Sequence, residues 1–443
     1  MKKEYINQNK ELFKTFLETT FFYNWRNSTR EKTALENYSS LEMSIGHSCD
    51  LHCKYCYYSR YGKELYQNKP VKAQDILANT EKLMDFIVKN NMLIRIEVFS
   101  GDPFNLPYIW EYFDIILKHC IKMPLEKRPM YISIPTNLSF LRQKDETNLN
   151  KLREYIVKFE EINVPMYLSG SVDGPFMDNF NRPSIEKFNY DKIFYDKVLK
   201  QEKEFNYGFH PMIYSNNIEY WIDNFLWLYY LTDNLYLLEV RNAEWTEEQC
   251  RQIYYLVKFI IHFIFAINDK NLEKTQEFIQ KKRGYNILTN SFSRIGRGLG
   301  CSIQSTLNFQ MNDLSIAPCH RTSYKEFATG NITFNEDGSY DFIPKNVEYY
   351  IAEHATEITR TYPCVSCSVN ELCSGGCLGS NYESTGDPFV QHPSMCRMEH
   401  YKIAGIIHGF DEIGLLNTFL HGQSARRKSQ IDYVLKTFGE KNG

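Results

Sequence analysis

The sequence predicts an α/β protein, a partial (β/α)6, TIM-like barrel followed by a small cysteine-rich domain. Three observations carry that prediction. From about residue 41 to 245, short apolar runs alternate with amphipathic stretches. The ends of those runs gather polar, glycine and cysteine residues. After about residue 268 the alternation stops, and cysteine density rises between 301 and 396.

Six runs read as strands: "LEMSIGHS", "IRIEVFS", "MYISIPT", "PMYLSGSV", "FHPMIYS" and "YLLEVRN". Between them, "AQDILANTEKLMDFIVKN", "YIWEYFDIILKHCIK", "NKLREYIVKFEEI", "DKIFYDKVLKQEKEF" and "WIDNFLWLYYL" carry apolar residues three and four apart, as helices with one buried face require. "TEEQCRQIYYLVKFIIHFIFAI" supplies a sixth helix. In parallel α/β architectures the loops at the C-terminal ends of the strands hold the chemistry, and "GHSCDLHC", "SGDPF", "PTN" and "SVDGP" all fall there. The expected organisation is a helical segment over 1–40, the barrel over 41–267, a bridging segment over 268–300, the cysteine-rich domain over 301–400 and a helical tail over 401–443.

Composition narrows the function. With 443 residues and 43% apolar content the chain can bury a large core, and a net charge of -3 gives no general field for nucleic acid or an anionic membrane. The basic run "ARRK" near the C-terminus reads as a solvated helix end. The N-terminus lacks the apolar core of a signal peptide, and the longest apolar run, "FIIHFIFAI" at 259–267, is short for a membrane span and contains His262. A cytoplasmic protein is expected. Twelve cysteines in that reducing compartment point to metal or redox chemistry rather than disulfides. Cys120 and Cys250 lie within helical patterns and read as buried apolar residues. "GRGLG", before Cys301, lacks dinucleotide-fingerprint spacing and reads as a turn.

The most informative stretch is "SCDLHCKYCYYS", which sets Cys49, Cys53 and Cys56 within eight residues. Three close thiols are an odd number for disulfides and one short of a tetrahedral zinc site. They can hold three irons of a [4Fe-4S] cube and leave the fourth open to an outside ligand; a structural zinc is the plain alternative. This C-x3-C-x2-C loop after the first strand resembles the signature of the radical S-adenosylmethionine (SAM) superfamily. The resemblance implies that the amino and carboxylate groups of SAM chelate the open iron and that Tyr55 lies against the adenine. "SGDP" stands where that family has Gly-Gly-Glu-Pro, so Ser100, Gly101 and Asp102 are expected near the SAM ammonium, the carboxylate one methylene shorter than the family's. "PTN", with Thr136 and Asn137, and "SVDGP", with Ser171 and Asp173, resemble strand ends near the SAM ribose and substrate, and Arg182 is a candidate for the SAM carboxylate. No catalytic acid or base is singled out.

Cys364, Cys367, Cys373 and Cys377 follow a C-x2-C-x5-C-x3-C pattern, with Cys396 after them and Cys301 and Cys319 before. This resembles the seven-cysteine SPASM domain, which carries two auxiliary [4Fe-4S] clusters. Carried over residue by residue, Cys364, Cys367, Cys373 and Cys396 would hold the outer cluster, and Cys301, Cys319 and Cys377 the inner one. With the first loop that makes three [4Fe-4S] clusters, plus SAM. Two departures stand out: Leu314 occupies a position usually given to glycine in a hairpin turn, and no further cysteine lies between 301 and 319, which leaves the inner cluster with an open iron or a noncysteine ligand.

The resemblance implies reductive cleavage of SAM to a 5'-deoxyadenosyl radical and oxidative modification of a peptide or protein, most naturally a thioether or carbon-carbon crosslink in a ribosomally made peptide. The implied partners are that substrate and an electron donor such as flavodoxin or ferredoxin; with about forty residues before the first cluster loop there is no room expected for a full winged-helix leader-binding domain, so leader recognition would need a separate leader-peptide-binding protein or another surface. Two rivals remain. One is an anaerobic sulfatase-maturating enzyme that makes formylglycine; in that group an Asp commonly follows the second SPASM cysteine, whereas here His320 follows Cys319, which counts against it. The other is a noncatalytic iron-sulfur electron carrier, which has no use for the SAM-pocket segments "SGDP" and "SVDGP".

Overall fold

The computed structural model describes residues 39–58, 71–90, 94–99, 101–143, 145–185, 188–205, 208–232, 235, 237–281, 306–317, 319–324, 327–328, 330–345, 364–373, 375–388, 390–420 and 423–439. The expected helical segment over 1–40 falls almost wholly outside these, as do "GRGLG", Ser100 and Cys301. The chain divides into two compact units, the first made of Met1–Ser171, Arg182–Tyr207 and Ser302–Ala355, the second of Val172–Asn181, Gly208–Cys301 and Thr356–Gly443.

In the first unit, strands β1 (Ser39–Ser44), β2 (Ile94–Phe99), β3 (Ile132–Thr136) and β4 (Met166–Gly170) lie side by side in parallel, as the sequence predicts. Helices α1 (Ala73–Lys89), α2 (Ile109–Lys122) and α3 (Thr147–Glu161) make the crossovers, and α4 (Lys192–Phe205) follows β4. Each crossover helix buries one stripe, such as Ile76, Leu83, Met84 and Ile87 of α1, at the spacing one helix face demands. Four further strands, β5 (Thr306–Gln310), β6 (Ser315–Ala317), β7 (Gly330–Phe334) and β8 (Tyr340–Pro344), extend the same sheet in the order β8-β7-β6-β5-β1-β2-β3-β4. The segment in which the cysteine-rich region begins therefore continues the sheet, with β5 parallel to β1 and the rest antiparallel.

Alternation along β1 gives the sheet two chemically different faces. Leu41, Met43 and Ile45 are fully buried on one side, while Ser40, Glu42 and Ser44 are almost as buried on the other. Buried polar groups need partners. Ser40 donates to Glu97 at 2.6 Å, and Asn308 of β5 donates to Ser44 at 2.9 Å and to Glu42 at 3.4 Å. The hairpin between β5 and β6 closes at the position where a glycine is usual. Leu314 itself takes the left-handed conformation (φ 55°), its N–H bonded to the Gln310 carbonyl at 2.8 Å and its side chain buried. A conformation that costs about 1–2 kcal/mol is offset by leucine burial of about 1.5–3 kcal/mol.

The last two predicted strands are much reduced. Gly208–Phe209 and Met212–Ile213 stand on either side of Pro211, which has no N–H for a ladder, and Met212–Ile213 pairs with the equally short Leu238–Glu239. They belong to the second unit, whose mass is helical: α5 (Trp221–Leu231), α6 (Glu247–Ile267), α7 (Leu378–Thr385), α8 (Pro393–Glu412) and α9 (Ala425–Gly439). Helix α6 starts on a capping box, Thr246 with Gln249. By length and composition alone α6 could cross a membrane, but its stripe of Ile253, Leu256, Val257, Ile260, Ile261 and Ile264 is buried in the protein, where it packs on α8. Cys120 and Cys250 are buried in helices as expected, and burial pushes their thiols up, to about 12 and about 11.

The α6–α8 contact is close because α8 presents glycine. A Cβ on Gly405 would meet Val257 Cγ2 at 2.5 Å and the Tyr254 carbonyl oxygen at 2.6 Å, and the second of these is backbone that cannot turn away. Gly405→Ala is expected to destabilise the protein by about 1–3 kcal/mol in denaturant unfolding followed by circular dichroism. An unchanged midpoint would show that the helices are not packed this tightly.

Candidate functional site

The loop after β1 carries Cys49, Cys53 and Cys56, all partly exposed and none in a disulfide. Its path is set by two anchors. One is the 182–185 segment, because the His52 N–H bonds to the Pro183 carbonyl at 2.8 Å and the Ile185 N–H to the Asp50 carbonyl at 2.9 Å. This backbone pairing brings Arg182 to the loop, with Nη1 4.0 Å from Cys53 Sγ and its guanidinium 5.4 Å from the centre of the Tyr55 ring. The sequence-predicted residues Cys53, Tyr55 and Arg182 thus meet.

The second anchor is Asp50. Arg142 grips its carboxylate with Nη2 at 2.7 and 2.9 Å and Nε at 3.2 Å, and Asn105 and Asn137 each donate to it at 2.9 Å. Burial pushes this carboxyl up, but Arg142 and the amide donors outweigh it and hold it below the usual carboxylate range. Asn137 reaches Cys49 Sγ as well, at 3.3 Å, and the Leu51 N–H lies 3.4 Å from the same sulfur. Burial pushes the Cys49 thiol up to about 12.

The "SGDP" segment takes a part the sequence did not assign. Asp102 is wholly buried, and its carboxylate accepts from the Phe104 N–H at 2.9 Å, the Thr136 hydroxyl at 3.0 Å and the Asn137 N–H at 2.8 Å. Its own N–H donates to the Ser48 carbonyl at 2.8 Å. Asp102 therefore ties the ends of β2 and β3 to the residue before Cys49. Gly101 is required there, since a Cβ would lie 2.5 Å from both the His47 and Ser48 carbonyl oxygens. Ser171 is partly exposed, its N–H bonded to the Thr136 carbonyl at 2.7 Å. Asp173 is buried in a knot of its own, accepting from the Met212 N–H and from Asn181, both at 2.9 Å.

On the polar face of the sheet stands His320, the residue after Cys319. Its N–H donates to Glu42 at 2.6 Å and its Nδ1 lies 3.0 Å from the other Glu42 oxygen. The ring stacks on Phe99 at 4.1 Å and lies 6.1 Å from Tyr57, which in turn carries the Arg321 guanidinium at 4.0 Å. So the neighbour of Cys56 and the neighbour of Cys319 share one aromatic stack. Glu42, Asp50 and Arg142 were missed in the sequence: Glu42 reads as the solvent side of an alternating strand, Asp50 had only its adjacency to Cys49 to mark it, and Arg142 had no signal.

In the second unit Cys364, Cys367, Cys373 and Cys396 gather. Cys367 closes a turn on Cys364, its N–H 3.0 Å from that carbonyl, and Cys396 stands in the first turn of α8. Burial, and then the charges of Cys364 and Cys367, push Cys396 up to about 11; burial, Glu399 and Cys396 push Cys373 up to about 12. His400 Nε2 lies 3.3 Å from Cys367 Sγ. Among the described residues, no three His, Cys, Asp or Glu side chains converge tightly enough to hold a single metal ion. Of the inner set, Cys301 lies outside the described residues, Cys319 sits in the first unit with its sulfur 3.5 Å from the Thr322 hydroxyl, and Cys377 caps α7 in the second.

No protein-family model matches the sequence, and no curated protein does so. Solved structures do match. The structure of anSMEcpe with bound AdoMet and Cp18Cys peptide superposes with a TM-score of 0.57 at 16% identity over 87% of this chain and 100% of that one. The same protein with Kp18Cys peptide gives 0.58 at 15% identity, over 86% and 99%. Streptococcus suis SuiB bound to precursor peptide SuiA gives 0.46 at 13% identity, over 87% and 80%. The likeness shows a shared mixed α/β fold, and both of these anSMEcpe structures hold AdoMet and a peptide.

Arg142 gives a direct test of the anchoring. Arg142→Gln leaves Asp50 its amide donors but removes its charge partner, which is expected to cost about 1–3 kcal/mol of stability. Iron held by the first loop, measured on anaerobically reconstituted protein, should fall while iron held by the second unit stays. Equal losses from both would mean general unfolding, and no loss would mean that the loop holds its shape without Arg142.

Proposed function

We propose that this protein is a radical SAM enzyme with a SPASM extension that oxidatively modifies a peptide or protein substrate, joining a side chain through a thioether or carbon-carbon crosslink in a ribosomally made peptide. The observation that carries the reading is the three-thiol loop after β1, with sulfur-directed donors from Asn137, Leu51 and Arg182 around it. Cys49, Cys53 and Cys56 would hold the first cluster, and Cys364, Cys367, Cys373 and Cys396 an auxiliary one. When bound, cluster and SAM supply the one-electron cleavage that ends in hydrogen-atom abstraction from an unactivated carbon.

The chain's own residues do the rest. Asn137 and the Leu51 N–H place partial positive charge on the Cys49 sulfur, which stabilises thiolate and tunes the site. Arg182 brings a full positive charge to Cys53 and covers the Tyr55 ring, which is itself buried. Ser171 offers a hydroxyl at the end of β4. Binding of a peptide by anSMEcpe supports a peptide substrate, and auxiliary clusters would accept an electron leaving that substrate.

A second reading is formylglycine formation from Cys or Ser; the likeness to anSMEcpe supports it, and His320, where that group commonly has an Asp, counts against it. The two readings differ in sulfur: a crosslink keeps the substrate sulfur, and conversion of cysteine to the aldehyde loses it. High-resolution mass spectrometry of a cysteine peptide after turnover separates them.

The shared reading is tested first. Replacing Cys49, Cys53 and Cys56 by Ala should abolish 5'-deoxyadenosine formation under dithionite, and continued SAM cleavage by that variant would sink the assignment. The intact protein should hold iron and sulfide near about twelve of each per chain for three cubes. About four of each, with zinc present, would make the second unit a structural zinc domain.

A further inference from the structure

Four charged side chains of the second unit close a ring that the chemistry above does not use. Arg241 Nη1 donates to Glu399 at 3.0 Å, and Nη2 lies 3.5 Å from Glu239. Lys402 Nζ lies 2.9 Å from the remaining oxygen of each carboxylate. Charges alternate around the ring and sum to zero, and the side chains are only 5% to 16% exposed. Burial pushes Glu239 up, but Lys402 and Arg241 hold it well below the usual carboxylate range. A ring of this kind is costly to desolvate, and apolar residues of the same volume fold as well or better, so stability alone gives no reason for it.

Its position gives one. Glu399 follows Cys396 by three residues on α8 and so lies on the same face one turn further on. The Glu399 carboxylate is within Coulombic reach of both Cys373 and Cys396, Lys402 of Cys373, and the Arg241 guanidinium of Cys373 and Cys377. The ring is therefore built against the thiols that gather in this unit.

We infer that Arg241 and Glu399 are positioning residues that set the reduction potential of the iron-sulfur cluster held by Cys364, Cys367, Cys373 and Cys396. The inference rests on the auxiliary-cluster reading above. An electron added to a thiolate-ligated cluster increases its negative charge. A buried cation beside the ligands stabilises that state and raises the potential, a buried anion does the reverse, and low local dielectric strengthens both. In the intact ring the two effects oppose each other across a short distance. Removing Arg241 leaves the other three with a net charge of about -1, and removing Glu399 leaves about +1.

The test uses the full-length protein with Cys49, Cys53 and Cys56 replaced by Ala, reconstituted anaerobically so that the first cluster contributes no signal. Iron and sulfide are counted. The midpoint potential is then read, by titration followed with electron paramagnetic resonance, for the signal that Cys364→Ala removes. If iron is absent and no such signal exists, the auxiliary-cluster reading fails and the inference with it. With the signal present, Arg241→Gln is expected to lower the midpoint and Glu399→Gln to raise it, while Arg241→Lys stays near the parent. Midpoints that do not move, or that move in the same direction for both, overturn the inference, because loosened packing carries no sign. Should Arg241→Gln not fold, Glu399→Gln decides alone: a rise supports the assignment, and anything else overturns it.

Discussion

The grip of Arg142 on Asp50 is the interaction on which the candidate site depends. It joins the cluster loop to the turn after β3, and through Asn137 it extends to the sulfur of Cys49. Asn137 in turn gives its N–H to Asp102, which also ties in Thr136 and the Ser48 carbonyl. The C-terminal ends of three parallel strands are thus fastened to one another beneath three cysteines. A loop with thiols at such positions would otherwise be free to rearrange.

Both units solve the same electrostatic problem in different ways. Thiolates next to buried surface are unfavourable, as the raised Cys49, Cys373 and Cys396 show. The first unit answers with N–H donors and a guanidinium aimed at sulfur. The second places a neutral ring of four charges within Coulombic reach of its cysteines. In each case cations and anions sit together near the sulfur, which makes the local field a property of geometry more than of charge count.

Much of this was legible in the sequence, for physical reasons. Strands β1 to β4 and their crossover helices show clear two- and 3.6-residue periodicity, and the cysteine loop is marked by spacing alone. What did not show is instructive. Pro211 divides a run that reads as one strand, and Leu314 makes a glycine's turn because its side chain is buried. Asp102 looked like a ligand-binding acid because of where it stands, yet its carboxylate is enclosed by backbone and hydroxyl donors, a fact of packing that no local pattern records. Glu42 was hidden by alternation, since a charged residue on a strand reads as solvent-facing until β5 is known to lie beside it. Arg142, Arg241 and Lys402 are ordinary basic residues in the sequence and acquire meaning only through partners far along the chain.

The central claim is that the loop's three thiolates leave one iron for SAM. Electron-nuclear spectroscopy of the reduced, full-length protein with SAM labelled at its amino nitrogen and carboxylate oxygen tests this most directly. Magnetic coupling of both labels to the first cluster, lost when Cys53 is replaced by Ala, is the predicted result. A first cluster that shows no coupling to either label, with SAM demonstrably bound to the protein, contradicts it.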